Sequence, residues 1–513
     1  MPKISKVLIA NRGEIALRLV RACAEANVTS VAVFSEADRT ALYVRAADEA
    51  YPIGPAPSRD SYLRIDKLLE AARLSGADAV HPGYGFLAEN ADFAQAVIEA
   101  GLTWIGPPPA AMRLLGDKLS ARHTAQSAGV PTVPGSDVAV DDVAHAVTAA
   151  DRIGYPVLIK ASAGGGGKGM RVVRSQEELE SALRTAQSEA QSSFGSGVVY
   201  FEKYLEHVRH VEIQVLADAH GNAIHLGERE CSIQRRHQKL IEESPSTVVD
   251  AALRERMGAV AVAAALAAGY TSAGTVEFLL DDDGNFYFLE VNTRLQVEHP
   301  VTEWVTGVDI VLQQFSVAEG QPLSIKQDHV KLSGHSIECR IAAEDPFNNF
   351  APSLGTISSL NEPSGPGVRM DSSIYRGGKV SIYYDPMLAK LIVWAPTRAH
   401  AISRMRRALE EYRISGIQTN IPFHLGVLGN HDYQQGNVDT AFVERFMAGD
   451  WLAAHDDEAT ELERTAAILG ALVVDEKRLA GGVTNGTARP SDGPATLPDG
   501  TNWRMAGRRQ ALR

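Results

Sequence analysis

Hydrophobic and polar positions fall into three successive rhythms along this chain. Over the first hundred residues, short apolar runs alternate with helical stretches. Runs at 6–10 (VLIAN follows Lys6), 30–34, 79–80 and 103–105 are separated by amphipathic patterns at 15–26, 62–75 and 91–100. Strand–helix–strand order of this kind predicts parallel βαβ units. The turn after the first run is Asn11-Arg12-Gly13-Glu14, without the dinucleotide fingerprint. The loop at 81–90, HPGYGFLAEN, follows a parallel strand at its carboxyl end, where open α/β sheets receive ligands.

From residue 110 the rhythm changes. Gly116-Asp117-Lys118 opens a helix, and Pro131 and Pro134 mark the exit into a new subdomain. A strand at 155–160 ends in Lys160 and runs into AGGGGKGM at 163–170, followed by a strand at 171–173. Glycines between two strands let backbone N–H groups approach a phosphate closely. No Ser or Thr follows Lys168 and no helix follows the loop, so it is not a P-loop. A flexible linker is the plain alternative, disfavoured by the lysines that bracket the glycines. A helix at 177–190 and a strand at 198–201 lead to Glu202-Lys203-Tyr204-Leu205, a crossing between lobes suited to an adenine hinge. Strands at 211–216 and 223–226 make a hairpin. The run Arg235, Arg236, His237, Lys239 then reads as an anion site rather than a solvated patch, since it lies near the glycine loop.

Residues 275–300, TVEFLLDDDGNFYFLEVNTRLQVEHP, organise the rest. Two alternating segments flank Asp283-Gly284, a two-residue hairpin signal. A turn centred there places Glu277 opposite Glu290. Facing carboxylates repel, and a divalent cation between them reverses the sign. Alternation adds Asn292, giving an all-oxygen set suited to Mg²⁺ or Mn²⁺. If the chain stays extended, Arg294, Gln296 and Glu298 share that face and Val291, Leu295 and Val297 the other.

After a helix expected at 304–319, a strand at 334–342 carries Glu338 and Arg340 on one face, and an Arg-rich helix spans 398–411. Folded structure is expected to end near residue 448. Residues 451–475 hold two short helical patterns, 480–502 read as linker, and 503–513 are basic and amphipathic.

Charge and composition narrow the function. At 513 residues the chain has room for two to four domains, and its formal net charge of −13 argues against nucleic acid or anionic membrane as partner. Three scattered cysteines exclude a disulfide framework or a Cys-based zinc site and suit a reducing cytoplasm. No 18-residue apolar run predicts a membrane helix, and structure starting at residue 6 leaves no room for a signal peptide.

KVLIANRGEIALR, HPGYGFLAEN, GGGGKGM, EKYL, SIQRRHQKLIEESP and EVNTRLQVEHP, in this order, resemble the biotin carboxylase family of the ATP-grasp fold from about residue 4 to 448. The resemblance implies an α/β protein with an N-terminal parallel-sheet domain (1–115), an ATP-grasp domain (116–332, with a glycine-loop lid at about 131–203) and a C-terminal α+β domain (333–448). Residues 449–513 would then be a helical extension and flexible linker, the possible start of a longer carrier-bearing architecture. It implies ATP, Mg²⁺ or Mn²⁺, and biotin on a carrier domain as cofactors, and bicarbonate as substrate. Lys118 and Lys160 match lysines that hold ATP phosphates. Gly165, Gly166, Gly167, Lys168, Gly169 and Met170 match the lid loop, and Glu202, Lys203 and Leu205 the adenine hinge. His210 and Gln234 match ribose contacts and His237 a further nucleotide contact, while Glu277, Glu290 and Asn292 match metal ligands. Lys239, Arg294, Gln296 and Val297 match the bicarbonate pocket. Glu298 matches the general base, Arg340 the group facing the biotin ureido oxygen, and Tyr84 joins the substrate group.

The implied reaction activates bicarbonate with ATP through carboxyphosphate and carboxylates biotin, the first half-reaction of an acyl-CoA carboxylase of acetyl- or propionyl-CoA type. A biotin carboxyl carrier domain, a carboxyltransferase subunit and further copies of the chain are the implied partners. No E-A-M-K-M-type biotin acceptor motif and no carboxyltransferase signature occur in the chain. A carboxylate–amine ligase on the same fold, or a non-catalytic nucleotide-binding subunit, are the alternatives. The RLQVE segment and Arg340 argue against the first, the full set of lysines, acids and metal ligands against the second.

Overall fold

The N-terminal alternation builds a parallel sheet of strands β1 (Lys6–Ile9), β2 (Thr29–Ser35), β3 (Glu49–Gly54), β4 (Ala79–His81) and β5 (Thr103–Trp104), in the order β3-β2-β1-β4-β5. Helix α1 (Gly13–Glu25) buries Ile15, Leu19 and Val20 against it. Strand β3 escapes the sequence pattern because Pro52 interrupts it, which an edge strand tolerates. The order reverses between β1 and β4, so the loops after these strands frame a crevice. Asn11 ties the two loops together, donating from Nδ2 to the carbonyls of Pro82 and Tyr84, both at 2.7 Å. This computed structural model describes residues 3–136, 142–162 and 170–449, with Trp451, Ile468 and Leu469.

Helix α2 (Lys118–Ser127) starts where expected, with Asp117 as its cap accepting from the Ser120 amide at 2.9 Å. Helix α3 (Val143–Ile153), strands β6 (Val157–Ala161) and β7 (Arg171–Val173), helix α4 (Gln176–Phe194) and strand β8 (Val199–Lys203) follow. The three strands pair antiparallel in the order β7-β6-β8. Val157, Ile159, Val173, Leu183 and Phe201 give this sheet and its helices a core of their own.

The principal sheet has eight strands, all antiparallel. They are β9 (Val208–Ala217), β10 (Ala223–Arg235), β11 (Gln238–Ser244), β12 (Ser272–Asp281), β13 (Phe286–Asn292), β14 (His335–Ala342), β15 (Val368–Ser372) and β16 (Met387–Ala395), in the order β13-β12-β9-β10-β11-β14-β16-β15. Helix α5 (Ala251–Ala267) covers β9 and β10. The sheet runs without a break through the expected domain boundary at 332, because β11 pairs with β14, Glu242 opposite Glu338.

Three sequence expectations change here. The hairpin turn is a three-residue loop, with Asp281 and Asn285 bonded across it (2.9 Å) and Gly284 at φ +77°, a backbone that favours glycine. That shifts the register by one near the turn, Phe278 opposite Phe288. A bulge at Leu289 shifts it back, so Glu277 still faces Glu290. Residues 293–298 are not extended: β13 stops at Asn292, the chain turns, and Glu298 becomes the N-cap position of helix α6 (His299–Thr306). The helix expected over 304–319 is two, α6 and α7 (Ile310–Ala318). Gly307 in the left-handed region ends the first, and Asp309 caps the second by accepting from the Leu312 amide at 2.8 Å. Helix α8 (Arg398–Glu411) coincides with the Arg-rich pattern. Residues 1–449 form one compact unit and 450–513 a second, of which only Trp451, Ile468 and Leu469 are described.

Candidate active site

Three carboxylates lie in one row across neighbouring strands: Glu212 on β9 faces Glu277 on β12, which faces Glu290 on β13. Like charges in a row destabilise a sheet unless cations intervene. Lys239 intervenes first. Its Nζ donates to Glu212 (2.6 Å), Glu277 (2.8 Å) and Glu298 (2.7 Å). The tight β10–β11 turn sets this up. Arg236 and His237 at its tip both adopt positive φ, so Gln234 pairs with Lys239 and the lysine points into the row. Burial lowers the Lys239 ammonium and the three glutamates raise it further, well above its ordinary value. Burial works against charge on Glu277, but Lys239 and His210, whose Nε2 lies 3.1 Å from the carboxylate, hold it well below the usual range. Arg229, fully buried, grips the far side of Glu212 at 2.5 Å.

Glu290 is treated differently. Burial, and then Glu277, push its carboxyl up, and Lys118 stands 3.9 Å away. Asn292 reaches across the strands, its Nδ2 donating to Glu277 at 2.7 Å. Two carboxylates and an amide, one of the acids under-neutralised, form a hard oxygen set that fits Mg²⁺ or Mn²⁺.

The turn at 293–298 carries the remaining polar groups to the same place without being a strand. Arg294 pairs with Glu89 (2.9 Å) and donates to the Gln296 side chain (2.9 Å), and Gln296 approaches Glu277 at 3.4 Å. Glu298 is fully buried, one oxygen on Lys239 and the other on Arg340 Nη2 at 2.8 Å. Arg340 arrives on β14, alongside β11, and its Nε also donates to Glu242 at 2.5 Å. Burial opposes charge on Glu298, but Lys239, Arg340 and Arg229 keep it ionised well below the usual carboxylate range. Lys239, Arg294, Val297, Arg340 and Tyr84 line one cavity of about 450 Å³ at the crevice between the loops after β1 and β4.

On the other side of the row, Lys160 Nζ donates to Glu202 at 2.5 Å, with Arg122 on the same carboxylate at 3.3 Å. His237 is pushed down by burial, then by Lys160 and His210, and Lys118 is pushed down by burial with Lys160 adding to it. Lys118, Lys160 and His237 thus lie within electrostatic reach of one another on the Glu290 side of the row, and Gln234 pairs with Lys239 across the β10–β11 turn. Lys203 instead spends its ammonium on the Gly154 and Tyr155 carbonyls (3.0 and 2.8 Å). Leu205 and Met170 are half-buried at the ends of β8 and β7. Gly165, Gly166, Gly167, Lys168 and Gly169 lie outside the described residues. Of the basic run, Arg235 stacks on Phe350 at 4.5 Å, Arg236 and His237 at the turn tip are exposed, and Lys239 reaches into the carboxylate row.

Sequence reasoning missed Glu212, Glu89, Glu242 and Arg229. Glu212 had one signal, its place in the alternating VEIQV segment, but the pairing of β9 with β12 is long-range and has no local turn to set it. Among the described residues no helix is long and apolar enough to cross a membrane, and all three cysteines are free and buried.

Comparison with known proteins identifies the family. Family models match residues 3–112 (biotin carboxylase, N-terminal domain), 117–326 (carbamoyl-phosphate synthase L chain, ATP binding domain) and 338–445 (biotin carboxylase C-terminal domain). Biotin carboxylase 1 of Bacillus subtilis is 55% identical over 444 residues, 86% of this chain and 99% of the relative. The propionyl-CoA carboxylase alpha chain of Ruegeria pomeroyi is 49% identical over 488 residues, 91% of this chain and 72% of the relative. The biotin carboxylase domain dimer of Hydrogenobacter thermophilus 2-oxoglutarate carboxylase, solved with MgADP, ADP and bicarbonate, superposes with a TM-score of 0.85 at 49% identity, covering 88% of this chain and 99% of that one. The chain belongs to the biotin carboxylase family of ATP-grasp ligases, which carboxylate biotin with cleavage of ATP.

Proposed function

We propose that this chain catalyses the first half-reaction of an acyl-CoA carboxylase, carboxylating biotin on a carrier domain for a carboxyltransferase partner. The observation that carries the chemistry is Glu298, a buried carboxylate with one oxygen on Lys239 and the other on Arg340. A carboxylate so tightly paired is a weak base. Bicarbonate entering between Lys239, Arg294, Gln296 and Arg340 would draw the cations onto itself. Glu298, released from them, regains the proton affinity needed to take the bicarbonate proton; the dianion attacks the γ-phosphate and displaces ADP, and the resulting carboxyphosphate breaks to CO₂ and phosphate, which takes the N1′ proton of biotin. Arg340, always charged, then faces the ureido oxygen of biotin as an oxyanion donor.

Glu277, Glu290 and Asn292 would hold Mg²⁺ or Mn²⁺, which supplies charge neutralisation at the transferring phosphoryl group. Lys118 and Lys160 would hold phosphate oxygens, with the 163–170 glycine loop as lid, and His237 would make a further nucleotide contact. Glu202, Lys203 and Leu205 serve the adenine, His210 and Gln234 the ribose. His210 also touches Glu277, so it couples the ribose side to the metal side.

The acyl-CoA assignment rests on the propionyl-CoA carboxylase relative, whose similarity extends over more of this chain than that of the free-standing enzyme. The dimer described for the Hydrogenobacter domain supports a homo-oligomer. Three buried thiols suit a reducing cytoplasm. Purified protein should cleave ATP only with bicarbonate present, faster with free biotin. ATP turnover indifferent to both would end this reading. Carboxylated carrier mixed with a co-purified carboxyltransferase and acyl-CoAs then identifies the acceptor, and transfer to pyruvate alone would reject the acyl-CoA assignment.

A further inference from the structure

The bicarbonate assignment makes no use of a buried lysine directly behind its pocket. Lys390 on β16 is fully buried, 0% exposed, in the interior behind the 293–298 turn. Its Nζ donates to the Val297 carbonyl at 2.8 Å. The carboxylates nearest to it stand back: Glu14 at 3.6 Å and Asp371 at 3.7 Å. Asp371 is held by Arg369 at 2.8 Å, whereas both Glu14 oxygens are buried without a hydrogen-bond partner in the protein. The Tyr84 ring lies 5.5 Å from the ammonium.

Burying an ammonium costs several kcal/mol, only partly offset by carboxylates at these distances. What it secures is a backbone carbonyl between Gln296 and Glu298. Val297 lies in the turn between the end of β13 at Asn292 and the start of α6 at His299. Three regions meet at this point: Glu14 from the first turn of α1 and Tyr84 from the loop after β4, Val297 from the turn, and Lys390 from the C-terminal strand pair. The neighbouring Gln296 carbonyl is met at 2.7 Å by His299 Nδ1 from α6 itself, whereas Lys390 brings a tie from a different strand.

We propose that Lys390 is a positioning residue for carboxylation, pinning the Val297 carbonyl so that Gln296, Val297 and Glu298 face bicarbonate. This rests on the assignment of that pocket to bicarbonate. It acts through the turn and touches no reacting atom, and it leaves the nucleotide side, on β8, β9 and the far end of the hairpin, untouched.

The test is steady-state kinetics of Lys390→Met, Lys390→Gln and Lys390→Arg, with Arg294→Lys in parallel. Loss of a hydrogen bond from a charged donor predicts a bicarbonate KM raised about 10- to 100-fold in Lys390→Met. The KM for ATP should stay within about twofold, and Lys390→Arg should recover most of the loss by restoring a cationic donor. Lys390→Gln, which keeps a neutral donor, substitutes if the methionine variant does not fold. An unchanged bicarbonate KM, or bicarbonate and ATP KM values rising together, would overturn the proposal. If Arg294→Lys also leaves the bicarbonate KM unchanged, the pocket assignment itself falls. If only Arg294→Lys raises it, the Lys390 role alone falls.

Discussion

The two halves of the 275–300 segment reach the same site by different physics. In the first half, Glu277, Glu290 and Asn292 sit on a regular antiparallel pair, and local rules position them. A turn places the strands, alternation selects the face, and the Leu289 bulge absorbs the one-residue slip that the three-residue loop introduces. In the second half, Arg294, Gln296 and Glu298 stand on an irregular turn. Distant groups position them: Glu89 from the N-terminal domain, Lys239 from β11, Arg340 from β14. The hairpin half would survive the loss of any one partner. The turn half is only as accurate as the three regions that hold it.

Substitutions can break this contrast from either side. On the hairpin side, Glu290→Gln removes a proposed metal ligand without touching the pairing. Since losing even an outer partner of a metal site costs about 10–100-fold, the Mg²⁺ concentration for half-maximal activity should rise at least that much. Thermal stability should hold or improve, because burial and Glu277 already push the Glu290 carboxyl up. A titration with Mg²⁺ and a melting curve check both. An unchanged Mg²⁺ requirement would remove Glu290 from the metal set. On the turn side, Glu89→Ala frees Arg294 from a half-exposed ion pair. The expected effect is smaller, about tenfold on the bicarbonate KM, with ATP KM constant. Equal effects on both substrates would show that the turn is not held separately from the hairpin.

Legibility in the sequence follows the same division. The parallel order of β1, β2, β4 and β5, the hairpin and the helix at 398–411 rest on local periodicity and turn chemistry and are readable, whereas the Glu277–Glu290 pairing is reached only because the Leu289 bulge cancels the slip of a three-residue loop. The fate of 293–298 is not readable. Alternation of Arg294, Gln296 and Glu298 with Leu295 and Val297 suits a strand as well as a turn in which every second side chain is drawn to one cluster. Nothing local distinguishes the two. Glu212 and Glu242 were hidden for a related reason, since each acts through a strand pairing that spans many residues of chain. The family resemblance supplied the names of groups such as Arg340 but not the continuity of β11 with β14 that brings it to Glu298.

A further effect concerns pH and stability rather than turnover. Burial raises the Glu14 carboxyl to about 7, with Lys390 opposing. A folded carboxyl that holds its proton more tightly than the unfolded chain contributes stability that is complete below its ordinary pKa of 4.5 and is lost as pH rises through about 7. Glu14→Gln removes that loss. Its unfolding free energy relative to the unmodified protein, read from melting curves, should therefore rise between pH 5 and pH 8, by on the order of 3 kcal/mol at most. A constant offset across that range would mean that Glu14 is ionised throughout, as a firm partner of Lys390.

The account turns on Glu298 as the group that takes the bicarbonate proton. Glu298→Gln keeps the shape and loses the base. Measured with saturating Mg²⁺, ATP, bicarbonate and biotin, its turnover should fall by about 10²–10⁴-fold, the range of a lost general base. Its affinity for the Mg²⁺ nucleotide should stay within about threefold, because that side belongs to the hairpin. Retained turnover in Glu298→Gln would contradict the central claim.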